Sequence, residues 1–132
     1  MKYMLDTNIV AYAKNNRPDV VLQKFRQYDP NDLCISAITL AELEFGIANS
    51  SNPAQNRLAL FAFLAGIEVL DFDAAAAREY GSIRKQLKDS GTPIGANDLL
   101  IAAHARSQGL ALITNNTREF DRVENLQVEN WV

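Results

Sequence analysis

Short apolar runs alternate along this chain with stretches whose apolar residues recur at helical spacing. Residues 3–5, 32–36, 67–70 and 110–114 read as strands, with 126–129 as a candidate fifth. Helical spacing covers about 8–14, then a stretch starting near Pro18 whose apolar positions are Val21, Leu22 and Phe25. Ser36 is the expected N-cap of a helix over 37–48, and Asn52-Pro53 opens another. The second half of that helix, 58–64, is apolar all round, which predicts burial on more than one side. Asp73 is placed to cap a long helix with a stripe of Ala77, Tyr80, Ile83 and Leu87, ended by Ser90-Gly91 and Pro93. A further helix spans about 96–107 and stops at Gly109. Short strands separated by helices predict an α/β sandwich around a central, mainly parallel sheet of four to five strands.

Composition narrows this picture without redirecting it. At 132 residues, with no Pro/Gly/Ser linker and no repeat, the chain predicts a single domain over 1–132. Thirteen basic against sixteen acidic residues give a net charge of −3, which argues against holding nucleic acid by bulk charge. Cys34 is the single cysteine, so an internally disulfide-stapled fold is excluded. Asp6 and Asn8 come too early for the apolar core of a signal peptide, and the nearly uncharged stretch 58–67 is far short of a membrane span. The expected setting is cytoplasmic.

In parallel sheets, sites lie beyond the carboxyl ends of the strands. The first strand ends in Asp6-Thr7-Asn8, the second in Ser36 with Glu42 on its helix, and the fourth in Thr114-Asn115-Asn116 with Glu119 and Asp121 beyond. The helix feeding the fourth strand carries Asp98, whose i+3 and i+4 neighbours, Ile101 and Ala102, put its carboxylate on an apolar stripe. A carboxylate there is costly unless something positive or hydrogen-bonding meets it, and no Lys or Arg occupies the neighbouring turns of that face. Each acid alone could be a helix cap. Together, Asp6, Asn8, Glu42 and Asp98 at one edge favour a divalent cation held by oxygen ligands, Mg²⁺ or Mn²⁺.

These residues carry a resemblance. Asp6-Thr7-Asn8 after a short strand, Ser36-Ala37-Ile38-Thr39-Leu40-Ala41-Glu42-Leu43, Pro93-Ile94-Gly95-Ala96-Asn97-Asp98 leading into Ile101-Ala102-Ala103-His104-Ala105, and Thr114-Asn115-Asn116-Thr117-Arg118-Glu119-Phe120 resemble the PIN-domain ribonucleases. Within them, the match is to the VapC-type toxins of bacterial type II toxin–antitoxin systems, and it extends to the closing Val128-Glu129-Asn130-Trp131. The resemblance implies a Mg²⁺-dependent endoribonuclease with Asp6, Glu42 and Asp98 as metal-holding, catalytic acids. Many family members carry an Asp where this chain has Asn116; Glu119, three residues on, is the expected substitute as the fourth acid. Thr7, Asn8, Ser36, Thr114 and Asn116 are expected to donate to the carboxylates or position water. The family also implies a homodimer, a structured RNA substrate such as the initiator tRNA anticodon loop, inhibition of translation, and neutralisation by a VapB-type antitoxin. Leu60, Phe61, Phe63 and Leu64 are the residues placed to meet that antitoxin, with core burial as their alternative.

Metal-assisted hydrolysis predicts 5′-phosphate and 3′-OH products. One rival reading is a non-catalytic RNA- or protein-binding PIN-like domain. Another is a phosphatase using Asp6 as nucleophile, against which stands Asn8 where that chemistry wants a second Asp. His104 lies about 240° round its helix from Asp98 and is expected to pack rather than react. Cys34 and Trp131 are read as packing residues. Arg78, Arg84, Lys85 and Lys88 are placed either to flank RNA or to form a solvated helix face, and the solvated face is the preferred reading. With the four acids set aside, the net charge of −3 becomes +1, so the acidity is largely that of the predicted site.

Overall fold

The computed structural model describes residues 1–14 and 19–131. Pro18 lies outside the described residues, as do the side chains of Val21 and Leu22. Five strands form one sheet: β1 (Tyr3–Leu5), β2 (Leu33–Ser36), β3 (Glu68–Leu70), β4 (Ala111–Ile113) and β5 (Val128–Glu129). Among the described residues, seven α-helices accompany them: α1 (Thr7–Lys14), α2 (Asp19–Arg26), α3 (Ala37–Ala48), α4 (Pro53–Leu64), α5 (Ala74–Asp89), α6 (Ala96–Ser107) and α7 (Thr117–Phe120). The sheet order is β3-β2-β1-β4-β5 and every pairing is parallel. The expected α/β/α sandwich is therefore the observed one.

The period of two along each strand sorts the core into two layers. Met4, Cys34 and Leu112 face α5, α6 and α7, packing with Ile83, Leu87, Ile101 and Phe120. Leu5, Leu33, Ile35 and Ile113 face α1, α3 and α4, packing with Ile9, Val10, Leu43, Ile47 and Leu60. A parallel sheet buried on both faces needs such continuous apolar strands, which is why these short runs lack polar alternation. Trp131 is buried as expected; its ring stacks on Tyr28 at 4.7 Å and meets Tyr3 and Phe25 edge-on.

Helix ends follow local chemistry. Ser36 Oγ accepts from the Ile38 amide at 3.0 Å and Asp73 Oδ1 from Ala76 at 3.0 Å, as their cap positions predict. One element went unread in the sequence, and one expectation needs correction. The run after Thr114 contains a short helix, α7, that has too few residues for a visible period. More importantly, α4 is not buried on several sides: only Leu60 is fully enclosed, while Leu58 and Phe61 are 71% and 57% exposed. Its apolar outer face is left bare beside the exposed Phe45 of α3.

Candidate active site

Chain order in the sheet reverses at β1, which lies between β2 and β4. That is the switch point at which connections leave in opposite directions and open a crevice at the strand ends. Asp6 leaves β1 there. Its amide donates to the Ile113 carbonyl at 2.9 Å, which continues the β1–β4 ladder one residue past the strand. Its carboxylate is 3% exposed. Oδ1 accepts the Thr7 amide at 2.7 Å and Oδ2 accepts the Thr114 hydroxyl at 2.8 Å. Asp6 thus stands where a cap of α1 would stand, yet half of it is tied across the sheet to β4. Burial raises its pKa; the bonds from Thr114 and Thr7 offset part of this, and the Glu42 charge adds to the rise.

Asp98 approaches from α6. That helix begins at Ala96 with Gly95 at its N-cap, so Asp98 lies inside the first turn and is not the cap. Burial comes first in pushing its carboxyl up to about 6, followed by the charges of Asp6, Glu119 and Glu42, and by a proton shared with Glu119. Asp98 thus feels the charges of Asp6, Glu42 and Glu119, and Asp6 feels that of Glu42; these are the four acids singled out in the sequence. Among the described residues, no lysine or arginine is ion-paired with any of them.

Neutral donors hold the acids instead. Thr7 Oγ1 donates to Glu42 Oε1 at 2.5 Å, and Asn97 Nδ2 to Glu42 Oε2 at 3.3 Å. Asn116 Nδ2 donates to Glu119 Oε2 at 3.3 Å, while its amide donates to Thr114 Oγ1 at 2.9 Å. Thr114 is fully buried and links Asp6 to the Asn116 loop. Thr7, Thr114 and Asn116 thus touch the acids directly. Asn8 is exposed, and among the described residues its amide bonds none of the four. Ser36 is also elsewhere: its hydroxyl caps α3 and meets His104 Nδ1 at 2.7 Å, so its bonds go to the core. Asn97 escaped the sequence reading; its signal was its place beside Asp98 at a helix start, where an amide reaches a neighbouring helix.

The residues away from this edge behave as packing groups. His104 is fully buried against Phe72, and desolvation lowers its pKa. Cys34 is fully buried in β2, and burial with the nearby Glu68 charge pushes its thiol up to about 12, far from a reactive thiolate.

The donor set is all oxygen and lacks a compensating cation, which fits a hard divalent ion. Among the described residues, no three acids stand as a ready-made metal cage. The edge is an open set of mutually repelling carboxylates that a cation would draw together.

The PIN domain model matches residues 3–126. The chain is 46% identical over 131 residues to the tRNA(fMet)-specific endonuclease VapC of Shigella flexneri, covering 99% of this chain and 98% of that one. It is likewise 46% identical over 132 residues to ribonuclease VapC2 of Haemophilus influenzae, covering 100% and 99%. The crystal structure of VapBC2 from Rickettsia felis bound to a promoter DNA fragment superposes with a TM-score of 0.93 at 42% identity, over 100% of both chains. The chain belongs to the PIN-domain family of nucleases, in its VapC ribonuclease branch.

Proposed function

We propose that this chain is the toxin of a type II toxin–antitoxin pair: a divalent-cation-dependent endoribonuclease, with Mg²⁺ or Mn²⁺ as the ion. It acts as one PIN-like domain in the cytoplasm and inhibits translation by cutting structured RNA. The observation that carries this reading is the convergence of Asp6, Glu42, Asp98 and Glu119 on one sheet edge with no cation of the protein's own.

Asp6, Glu42 and Asp98 would hold the ion, with Glu119 completing the acidic set. Bound there, a divalent cation supplies Lewis-acid charge to the phosphodiester and to an attacking water. Thr114 and Thr7 donate to both oxygens of Asp6, which favours its ionised form and offsets part of the cost of its burial. Thr7 and Asn97 fix the Glu42 carboxylate, and Asn116 steadies Glu119, so the acids are oriented before substrate arrives. No histidine is placed for attack by the ribose 2′-OH, since His104 is enclosed in the core.

Its relative in Shigella flexneri is named for tRNA(fMet), and 46% identity along the whole chain supports the same class of substrate here, with the initiator tRNA anticodon loop as the best candidate. Neighbouring solved structures are VapBC complexes, which supports a VapB-type antitoxin partner; a homodimeric toxin is carried over from the family resemblance. The antitoxin's apolar segment is assigned to the outer face of α4, through the exposed Phe61 and the half-buried Phe63 and Leu64; Leu60, a core residue, is withdrawn from that surface.

The test is incubation of tRNA with the protein, with and without EDTA, beside Asp6→Asn and Asp98→Asn. Cleavage should leave 5′-phosphate and 3′-OH ends, stop with EDTA, and fall at least 10²-fold in either variant, on the order of one lost charge-stabilising group. Survival of cleavage in EDTA, or a 2′,3′-cyclic phosphate, would sink the reading.

A further inference from the structure

A cavity of about 470 Å³ opens between the second half of α5 and the loop that delivers Asp98. Its floor is Leu87 and Leu99, its walls are Tyr80 and Ile94, and its rim carries Arg84 and Lys88. This volume lies in the range of small-ligand sites and accommodates one nucleotide. Pro93, Ile94 and Ala96 line the cavity on the segment that runs into the first turn of α6, where Asp98 stands. Ala96 and Leu99 line the cavity on either side of Asp98, and Asp98 Oδ2 lies 3.4 Å from where a Cβ on Gly95 would stand.

The charges here are available. Lys85 on the same helix is paired with Asp89 at 2.8 Å, Arg57 with Glu44, and Arg106 with Glu79. Arg84 instead donates to the neutral Tyr80 hydroxyl at 3.0 Å, with its guanidinium 5.9 Å from that ring's centre. Among the described residues, Lys88 is in no ion pair. A second depression lined by Gly81, Arg84, Lys85, Lys88 and Asp89 continues the groove across α5, its one carboxylate, Asp89, being the group paired with Lys85. Two uncompensated cations above an apolar and aromatic floor match the chemistry of a nucleotide, which presents phosphate oxygens on one side and a flat ring on the other.

We propose that this cavity binds a nucleotide of the RNA strand flanking the cut, its phosphate on Arg84 and Lys88 and its base against Tyr80 and Ile94. The inference rests on the ribonuclease reading and adds the residues that grip substrate beside the acids. For Arg84 and Lys88 it favours RNA contact, the alternative the sequence left open, over a purely solvated helix face. It also answers how an acidic chain holds RNA: by a small basic seat adjoining the acids instead of a broad basic surface.

The test uses the double variant Arg84→Ala/Lys88→Ala, with Lys2→Ala/Arg57→Ala as a control of equal net charge remote from the cavity. KM for tRNA should rise at least tenfold while kcat stays within twofold. The slope of log Kd against log salt, measured on RNA, should shrink by about 1.4, or about 0.7 for each phosphate left without its cation. The control should match the unsubstituted protein in both. An unchanged KM and slope in a protein that still cuts RNA would overturn the cavity assignment alone. If no RNA is cut but the slope still shrinks, the nuclease reading fails and the binding seat stands. Loss of antitoxin affinity with RNA binding intact would overturn the inference in favour of a protein partner.

Discussion

Asp98 is the residue at which the site's electrostatics are most exposed to measurement. Its carboxyl sits at about 6 in the folded chain against an ordinary 3.8. Between those values the folded state holds a proton that the unfolded state has released. This contribution to stability is complete below 3.8 and is lost as pH rises through about 6. Above pH 6 in EDTA, Asp98→Asn should therefore melt higher than the parent, by about 2–4 °C, on the order of 1 kcal/mol once solvent screening at a half-buried site is allowed for. Near pH 3.5 the two should coincide. A variant that melts lower at pH 7 would show that the donors around Asp98 outweigh repulsion. Thermal melts across pH decide it. The same substitution is expected to lower cleavage at least 10²-fold, so stability and function should pull in opposite directions at this position.

Among the elements, α4 separates what packing requires from what a surface tolerates. Leu60→Ala opens a hole in the layer between α4 and β1, and should cost about 2–5 kcal/mol by chemical denaturation. Phe61→Asp, one residue on, should leave folding within about 1 kcal/mol and weaken antitoxin affinity at least tenfold by calorimetry. Unchanged affinity in the folded variant would move the antitoxin to another face. Sequence periodicity did not separate these neighbours, because an all-apolar helix carries no polar stripe to say which side faces out. The strands, the α3 and α5 caps and the acidic set were legible, since apolar runs, Ser36, Asp73 and strand-end carboxylates are local signals. Asn97 and the bonds of Ser36 were not: each depends on how α6 packs across the sheet against α3 and β2.

At the scale of the whole molecule, the parallel sheet turns distant segments into one site: Asp6 and Thr114 are 108 residues apart and share a hydrogen bond. Asp6 also meets Asp98 at this edge, with a charge repulsion that a divalent cation would relieve. Millimolar Mg²⁺ should accordingly raise the melting temperature of the parent chain, by roughly RT ln(1 + [Mg²⁺]/Kd) in free energy, and raise that of Asp6→Asn much less. Equal shifts in both would mean that the ion acts on the surface at large.

All these stability tests share a convenience supplied by Trp131, the chain's single tryptophan. Its indole is 2% exposed, lies flat on Tyr28 and donates Nε1–H to Glu129 Oε1 at 3.1 Å. Unfolding transfers this one fluorophore from an aromatic stack to water, shifting its emission to the red with no second indole to blur the transition. The protein thus carries its own optical gauge of folding, at a position none of the active-site substitutions alters.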